Sequence, residues 1–159
     1  MSTLRVNAIQ NTSGVDNQGK ILQVVNFTDA IGYYTSTSTT FADTGFGVTI
    51  TPKFANSKIL INVCATAYSS AHYVYLDVYR NGTTSISGDS TNGITGPAGY
   101  YTAYWQTHTL FYEDSPNTTS AVTYDLYGKT YSGTLNVGAH NSSPAFPNGV
   151  YMTATEIAQ

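Results

Sequence analysis

Three histidines, one cysteine and nine carboxylates are all that this chain offers for acid–base, nucleophilic or metal chemistry. His72, His108 and His140 each stand without a Cys, Asp, Glu or second His at the spacing of a metal site. A lone histidine on a strand is ordinarily structural or solvated. One arrangement stays open: three copies of His108, which sits inside a predicted strand, would meet on the axis of a trimer and hold a metal there. Only Glu113 and Asp114 are adjacent carboxylates, and neighbours on an extended chain point to opposite sides, so they make no acid/base pair. No Gly-x-Ser-x-Gly elbow, phosphate loop or dinucleotide fingerprint occurs, and the glycines around Gly93 and Gly96 precede no helix. The expectation is a non-enzyme with no catalytic residue, no cofactor and no bound metal.

Composition excludes further classes. The 159 residues suit one domain with one core. Six basic side chains against nine acidic ones, net −3, supply no basic face for a phosphate backbone, so no nucleic-acid partner is expected. Solubility rests on Thr, Ser, Asn, Gly and Tyr more than on charge. Cys64 falls in the apolar run Ile59-Leu60-Ile61-Asn62-Val63-Cys64-Ala65, which suggests a small buried hydrophobe. As the sole cysteine it rules out an internal disulfide. The opening residues lack the order of a secretory signal, and no stretch approaches the ~20 apolar residues of a membrane span, so neither export by that route nor a membrane partner is expected.

The elements that must carry these residues read as strands. Residues 1–19 form an arm, with Leu4, Val6 and Ile9 as candidate anchors followed by two turn clusters; a partner subunit or neighbouring protein would hold it. From Lys20 the pattern has period two or short apolar runs. Strands are predicted near 20–27, 31–37, 46–51, 57–67, 72–80, 83–87, 100–113, 119–128, 133–138 and 149–157, with no helical stripe anywhere. Arg80-Asn81-Gly82-Thr83 is the clearest hairpin turn, because Asn-Gly tolerates positive φ at both central positions. Asp114-Ser115-Pro116-Asn117 is the next. Ser87–Gly99 and His140–Gly149 read as surface loops, the usual seat of binding specificity in a sandwich. Residues 20–159 are therefore expected to form one all-β sandwich.

Between residues 73 and 80 the two faces separate. Val74, Leu76 and Val78 make an aliphatic row for the core, and Tyr73, Tyr75, Asp77 and Tyr79 make a row directed outward. A similar separation sets Tyr101, Ala103, Trp105 and Thr107 against Tyr100, Thr102, Tyr104 and Gln106. Fourteen tyrosines exceed what one small core can use, since each buried hydroxyl wants a partner. Such a surface has three fates: solvent exposure, a subunit interface or a carbohydrate platform. Tyr73, Tyr75, Tyr79, Tyr101 and Trp105 are the candidate interface residues.

Several phrases carry a resemblance that runs nearly the whole chain in order. They are the opening Met1–Gly14, the stretch Thr49–Ile61, the hairpin Tyr79–Thr83, the run Asp114–Thr119 and the ending Thr153–Ile157. Together they resemble small virion proteins and fibre-tip domains of tailed phages, particularly those of marine cyanobacteria. The resemblance implies a jelly-roll β-sandwich similar to the tumour-necrosis-factor fold, usually a homotrimer, displayed on a head or a tail. It further implies major capsid or tail proteins as partners, host glycans for a tail tip, a virion location after synthesis in host cytoplasm, and no catalytic residues. No collagen-like repeat, coiled-coil heptad or shaft precedes the domain, which favours a compact knob docked through its arm.

Overall fold

A computed structural model describes residues 19–30, 32–71, 73–93, 105–139 and 149–159. The arm anchors Leu4, Val6 and Ile9, the interface candidate Tyr101, and His72 and His140 lie outside the described residues.

Ten strands follow one another: β1 (Ile21–Asp29), β2 (Tyr33–Ser36), β3 (Ala42–Ile50), β4 (Lys58–Ser69), β5 (Val74–Arg80), β6 (Thr84–Ser85), β7 (Gln106–Asp114), β8 (Val122–Thr130), β9 (Leu135–Gly138) and β10 (Val150–Ile157). All pairings are antiparallel, and no helix occurs among the described residues. Sheet one has the order β1-β10-β4-β9-β2, with β7 also on β4. Since β7 occupies one edge of β4 from Ile59 to Ala67, both β10 and β9 must share the other, with β1 and β2 beyond them in turn. Sheet one is thus four strands wide: β1/β2, β9/β10, β4, β7. Sheet two has the order β3-β8-β5-β6. Counting β1/β2 and β9/β10 as two interrupted strands, the chain is a jelly roll with four strands in each sheet.

Period-two alternation puts the core between the sheets. Ile59, Ile61, Val63, Ala65 and Ala67 of β4 face Val74, Leu76 and Val78 of β5 and Tyr124 and Leu126 of β8, all buried. Met152, Ala154, Leu110 and Val137 extend the layer along sheet one. The aliphatic row of β5 lies where the sequence places it.

Two devices close the ends. Asn81 and Gly82 take φ of 50° and 67° in the β5–β6 turn, the left-handed pair a tight hairpin needs. At the end of the core near the β3–β4 turn, the Glu156 carboxylate points inward and accepts the Lys53 and Phe54 amides at 2.7 and 3.3 Å and the Gln23 amide at 2.6 Å. Burial pushes the Glu156 carboxyl up, but these bonds and the nearby Ser57 hydroxyl outweigh it and hold it below the usual range.

Some predicted boundaries move. β3 starts at Ala42, four residues before expectation, because a register shift between Asp43 and Gly47 hides its alternation. Of the predicted strand at 83–87 only Thr84 and Ser85 pair.

Candidate functional site: the two outer faces

The outward positions of sheet two carry the tyrosine row. Tyr79 stacks on Tyr127 with centroids 4.2 Å apart, and Phe41 leans on Tyr79 at 6.0 Å. Tyr73 meets Tyr75 and Tyr131 edge-on at 6.2 and 6.3 Å. The Lys129 ammonium lies over the Phe41 and Tyr75 rings, 5.0 and 4.8 Å from their centroids.

This row is not simply directed outward. Tyr75 is buried and Asp77 is wholly so, because residues 85–93 run across the sheet as a strap. Ser85 and Ser87 donate to Asp77 Oδ2 at 2.6 and 3.1 Å, the Val78 amide donates to Oδ1, and Ile86 is itself buried. Lys129 Nζ donates to the Thr91 carbonyl. Gly93, at φ 69°, lies so close to the Leu76 carbonyl and the Phe41 ring that any side chain would collide. Burial raises the Asp77 carboxyl above its ordinary range; the Ser85, Val78 and Ser87 bonds only partly oppose this, and Asp89 adds to the rise. The segment expected to be a plain surface loop is therefore, over its described part, the cover of sheet two.

The outward positions of sheet one form a different surface. Register places Thr28, Tyr151, Cys64 and Thr109 in one cross-strand row, Asn26, Thr153, Asn62 and Phe111 in the next, and Val24, Thr155, Leu60 and Glu113 in a third. Phe111 is 61% exposed, Val24 51% and Tyr151 41%. The only charged side chains at these positions are Lys58 and Glu113, which pair with each other at one end. Cys64 is exposed, which corrects the expectation of a buried thiol. It shares parity with Leu60 and Asn62, whereas the core positions of β4 are odd-numbered.

The interface candidates do not make one row. Tyr73, Tyr75 and Tyr79 belong to sheet two, while Trp105 stands at the start of β7 in sheet one and stacks on Tyr68 at 5.7 Å. Identical alternation in two strands does not tell which sheet each joins. His108, opposite Ala65, faces the interior; its Nε2 is buried without a hydrogen-bond partner, and burial depresses its pKa, favouring the neutral ring. An inward ring does not suit the axial metal arrangement. Glu113 and Asp114 take opposite sides as expected, Glu113 on Lys58 and Asp114 on Arg80. Among the described residues no three His, Cys, Asp or Glu side chains gather as a metal site, and no helix is long and apolar enough to cross a membrane.

Fold and surface together define an antiparallel jelly-roll module with one face crossed by its own strap and, among the described residues, no such cover on the other. No family model matches the sequence, and no curated protein matches it. Among solved structures, the chain is similar to the VP2 subviral particle of infectious bursal disease virus at 15% identity and a TM-score of 0.45, over 99% of this chain and 42% of that one. It is similar also to a mutant VP2 protein of the same virus in derived T=1 particles, at 16% identity and a TM-score of 0.39, over 99% and 41%. The chain spans about two fifths of the length of those viral proteins.

Proposed function

We propose that this chain is a structural protein of a phage particle, a surface knob of three copies that decorates a capsid and stabilises it by adding buried area across several capsid subunits. Two things support the reading. The phrases from the opening residues to Thr153–Ile157 resemble, in their order, those of tailed-phage virion proteins, and the chain has the jelly-roll layout that this resemblance implies. The observation that carries the assembly part is the outer face of sheet one, which has no cover among the described residues, is uncharged over most of its area and holds exposed Phe111, Val24 and Tyr151. These three stand apart, in separate cross-strand rows among Thr and Asn, and together they give the face large apolar side chains that a protein partner could cover.

A second reading, a tail-fibre or receptor-binding tip that recognises host glycans, is favoured by Tyr131. Its ring is 65% exposed beside Tyr73 on the other sheet and offers a surface on which a sugar could stack.

One experiment separates them. Purified chain is mixed with heads lacking it, with tails and with host cells, and its mass is measured by light scattering. Binding to heads with a raised threshold for thermal rupture is expected. Binding to tails or host cells alone replaces decoration with the fibre reading, and a chain that is monomeric at every concentration refutes the assembly.

A further inference from the structure

Two kinds of hydrogen bond hold residues 85–93, and they differ in what they tie together. The first kind is internal. Asp89 Oδ1 accepts the Thr91 and Asn92 amides at 2.9 Å each, the Asp89 carbonyl accepts the Gly93 amide at 2.8 Å, and the Asp89 amide donates to Ser87 Oγ at 3.1 Å. The second kind crosses to sheet two. Ser85 and Ser87 donate to Asp77 Oδ2, the Ile86 amide donates to the Val78 carbonyl at 3.0 Å, and Lys129 Nζ donates to the Thr91 carbonyl. We propose that residues 85–93 swing off sheet two as one unit while the rest of the fold stays closed, and that Asp77 is the clasp, fastened in acid and loosened as the pH rises. The proposal stands without the assembly reading, and it makes the cover of Tyr75 and Asp77 conditional on pH.

The bonding pattern makes separate opening cheap. The internal bonds travel with the strap, so only those that cross to the sheet are broken. Of aliphatic side chains the strap buries Ile86, whereas unfolding the sandwich exposes the inner faces of both sheets. A segment with so little apolar anchorage opens at a lower free energy than the core it lies on.

Asp77 controls the opening because its carboxyl has two surroundings. Under the closed strap it is wholly buried and, when ionised, must exchange water for the Ser85 and Ser87 hydroxyls and the Val78 amide. Off the strap it meets water. Burial outweighs the three bonds and Asp89 of the strap adds its own repulsion, so the closed state holds the proton more tightly. Closure is therefore helped most below the open value of about 3.9 and loses that help as pH rises through the raised closed value. The other ionisable neighbours do not reverse this sign. Tyr127 of β8 stands directly opposite and Tyr75 and Tyr79 flank Asp77 on β5; burial pushes all three phenols up, so they stay neutral. Lys129 lies one row away on the Thr91 carbonyl and the Phe41 and Tyr75 rings. Asp125, one row away on the other side, is raised by its own burial and by Asp43. Residues 94–104, which follow the strap in sequence, contain no Asp, Glu, Lys, Arg or His.

Amide hydrogen exchange of the full chain and of its Asp77→Asn variant tests this from pH 3.5 to 7.5. Two amides are read: Ile86, bonded to β5, and Val63, in the middle of β4 between β10 and β7, as the mark of global unfolding. After allowance for intrinsic rates, Ile86 is expected to exchange faster than Val63. The protection of Ile86 in the variant divided by that in wild type is then taken at each pH, which cancels the titrations of Asp89 and Asp125 common to both proteins. That ratio is expected to grow several-fold from the acid to the neutral end, with the ratio at Val63 growing less. If Asp77→Asn does not fold, Ser85→Ala combined with Ser87→Ala takes its place. Those hydroxyls serve the ionised carboxylate best, so their loss should speed exchange at Ile86 more at pH 7.5 than at pH 3.5. Ile86 exchanging together with Val63 at every pH would show that the strap has no opening of its own. A ratio at Ile86 that is flat or falls with pH would remove Asp77 as the clasp, and either result overturns the proposal.

Discussion

Removing the carboxylate of Asp114 tests how the two sheets are locked together. Asp114 ends β7 in sheet one, and both its oxygens lie 2.9 Å from Arg80 Nη1 of sheet two. Its Oδ2 also accepts the Tyr124 hydroxyl at 2.8 Å. Tyr124 is completely buried, and burial with the adjacent carboxylate pushes its phenol far above the usual range, so it stays a donor at any ordinary pH. Asp114→Ala leaves that hydroxyl without an acceptor, a loss of about 1–3 kcal/mol. Arg80 is freer: its side chain is 27% exposed and can turn to water, so the broken pair costs nearer the ~1 kcal/mol of a surface bridge than the cost of a buried one. Together the expected loss is about 2–4 kcal/mol, or roughly 4–16 °C in melting temperature for a chain of this length. Urea unfolding at fixed protein concentration, followed by Trp105 fluorescence, measures it. Tyr124→Phe alone should cost about 1 kcal/mol, but made together with Asp114→Ala it should recover part of the loss, because the stranded hydroxyl is gone. If Tyr124→Phe costs the same with or without Asp114, the two do not act as a unit and the reasoning is wrong.

Two pH-dependent predictions accompany this one. The folded chain holds a proton on Asp77 more tightly than the unfolded chain does, so its contribution to stability falls as pH rises from about 3.9 through the raised folded value. Asp77→Asn, whose amide can still serve both serines, should therefore gain stability relative to wild type across that window in urea titrations from pH 3.5 to 7.5; a relative loss would show that the buried charge is not the cost argued here. Glu156 has the opposite sign: its stabilisation is present above the unfolded value near 4.3 and disappears as pH falls through the depressed folded value. Glu156→Gln should be less stable by about 1–2 kcal/mol near neutral pH and approach wild type as the pH falls, and a deficit that does not shrink at all on acidification would assign its role to packing.

Alternation made much of the architecture legible. Val74, Leu76 and Val78 are core because nothing but a sheet face makes use of period two, and Asn81-Gly82 marks its hairpin because few other pairs accept positive φ twice. What escaped was set by partners distant in sequence. The apolar company of Cys64 suggested burial, whereas its parity with Asn62 decides its side. Asp77 and Tyr75 have outward parity and yet are buried, because a Ser- and Gly-rich segment with Ile86 as its buried aliphatic anchor folds back over them. Trp105 and the β5 tyrosines share an alternation but belong to different sheets, and local sequence does not encode sheet membership.

Several charged groups serve the interior of the fold. Among the described residues, Asp77 is held by serines, Asp114 by Arg80 and Tyr124, Glu156 by backbone amides, and Lys129 by a carbonyl and two rings. These groups fix the strap, join the sheets and close the end of the core, while Lys20, Asp43, Lys53 and Asp89 are exposed outside the three cross-strand rows of sheet one. A surface of threonine, asparagine and aromatic rings then gains from contact chiefly by shape and apolar burial, which salt screens hardly at all. Charge steering contributes little to the first encounter of such surfaces, and closely matched packing must sustain the contact afterward. Repeated copies of one rigid sandwich meet that requirement well, because every copy presents the same face.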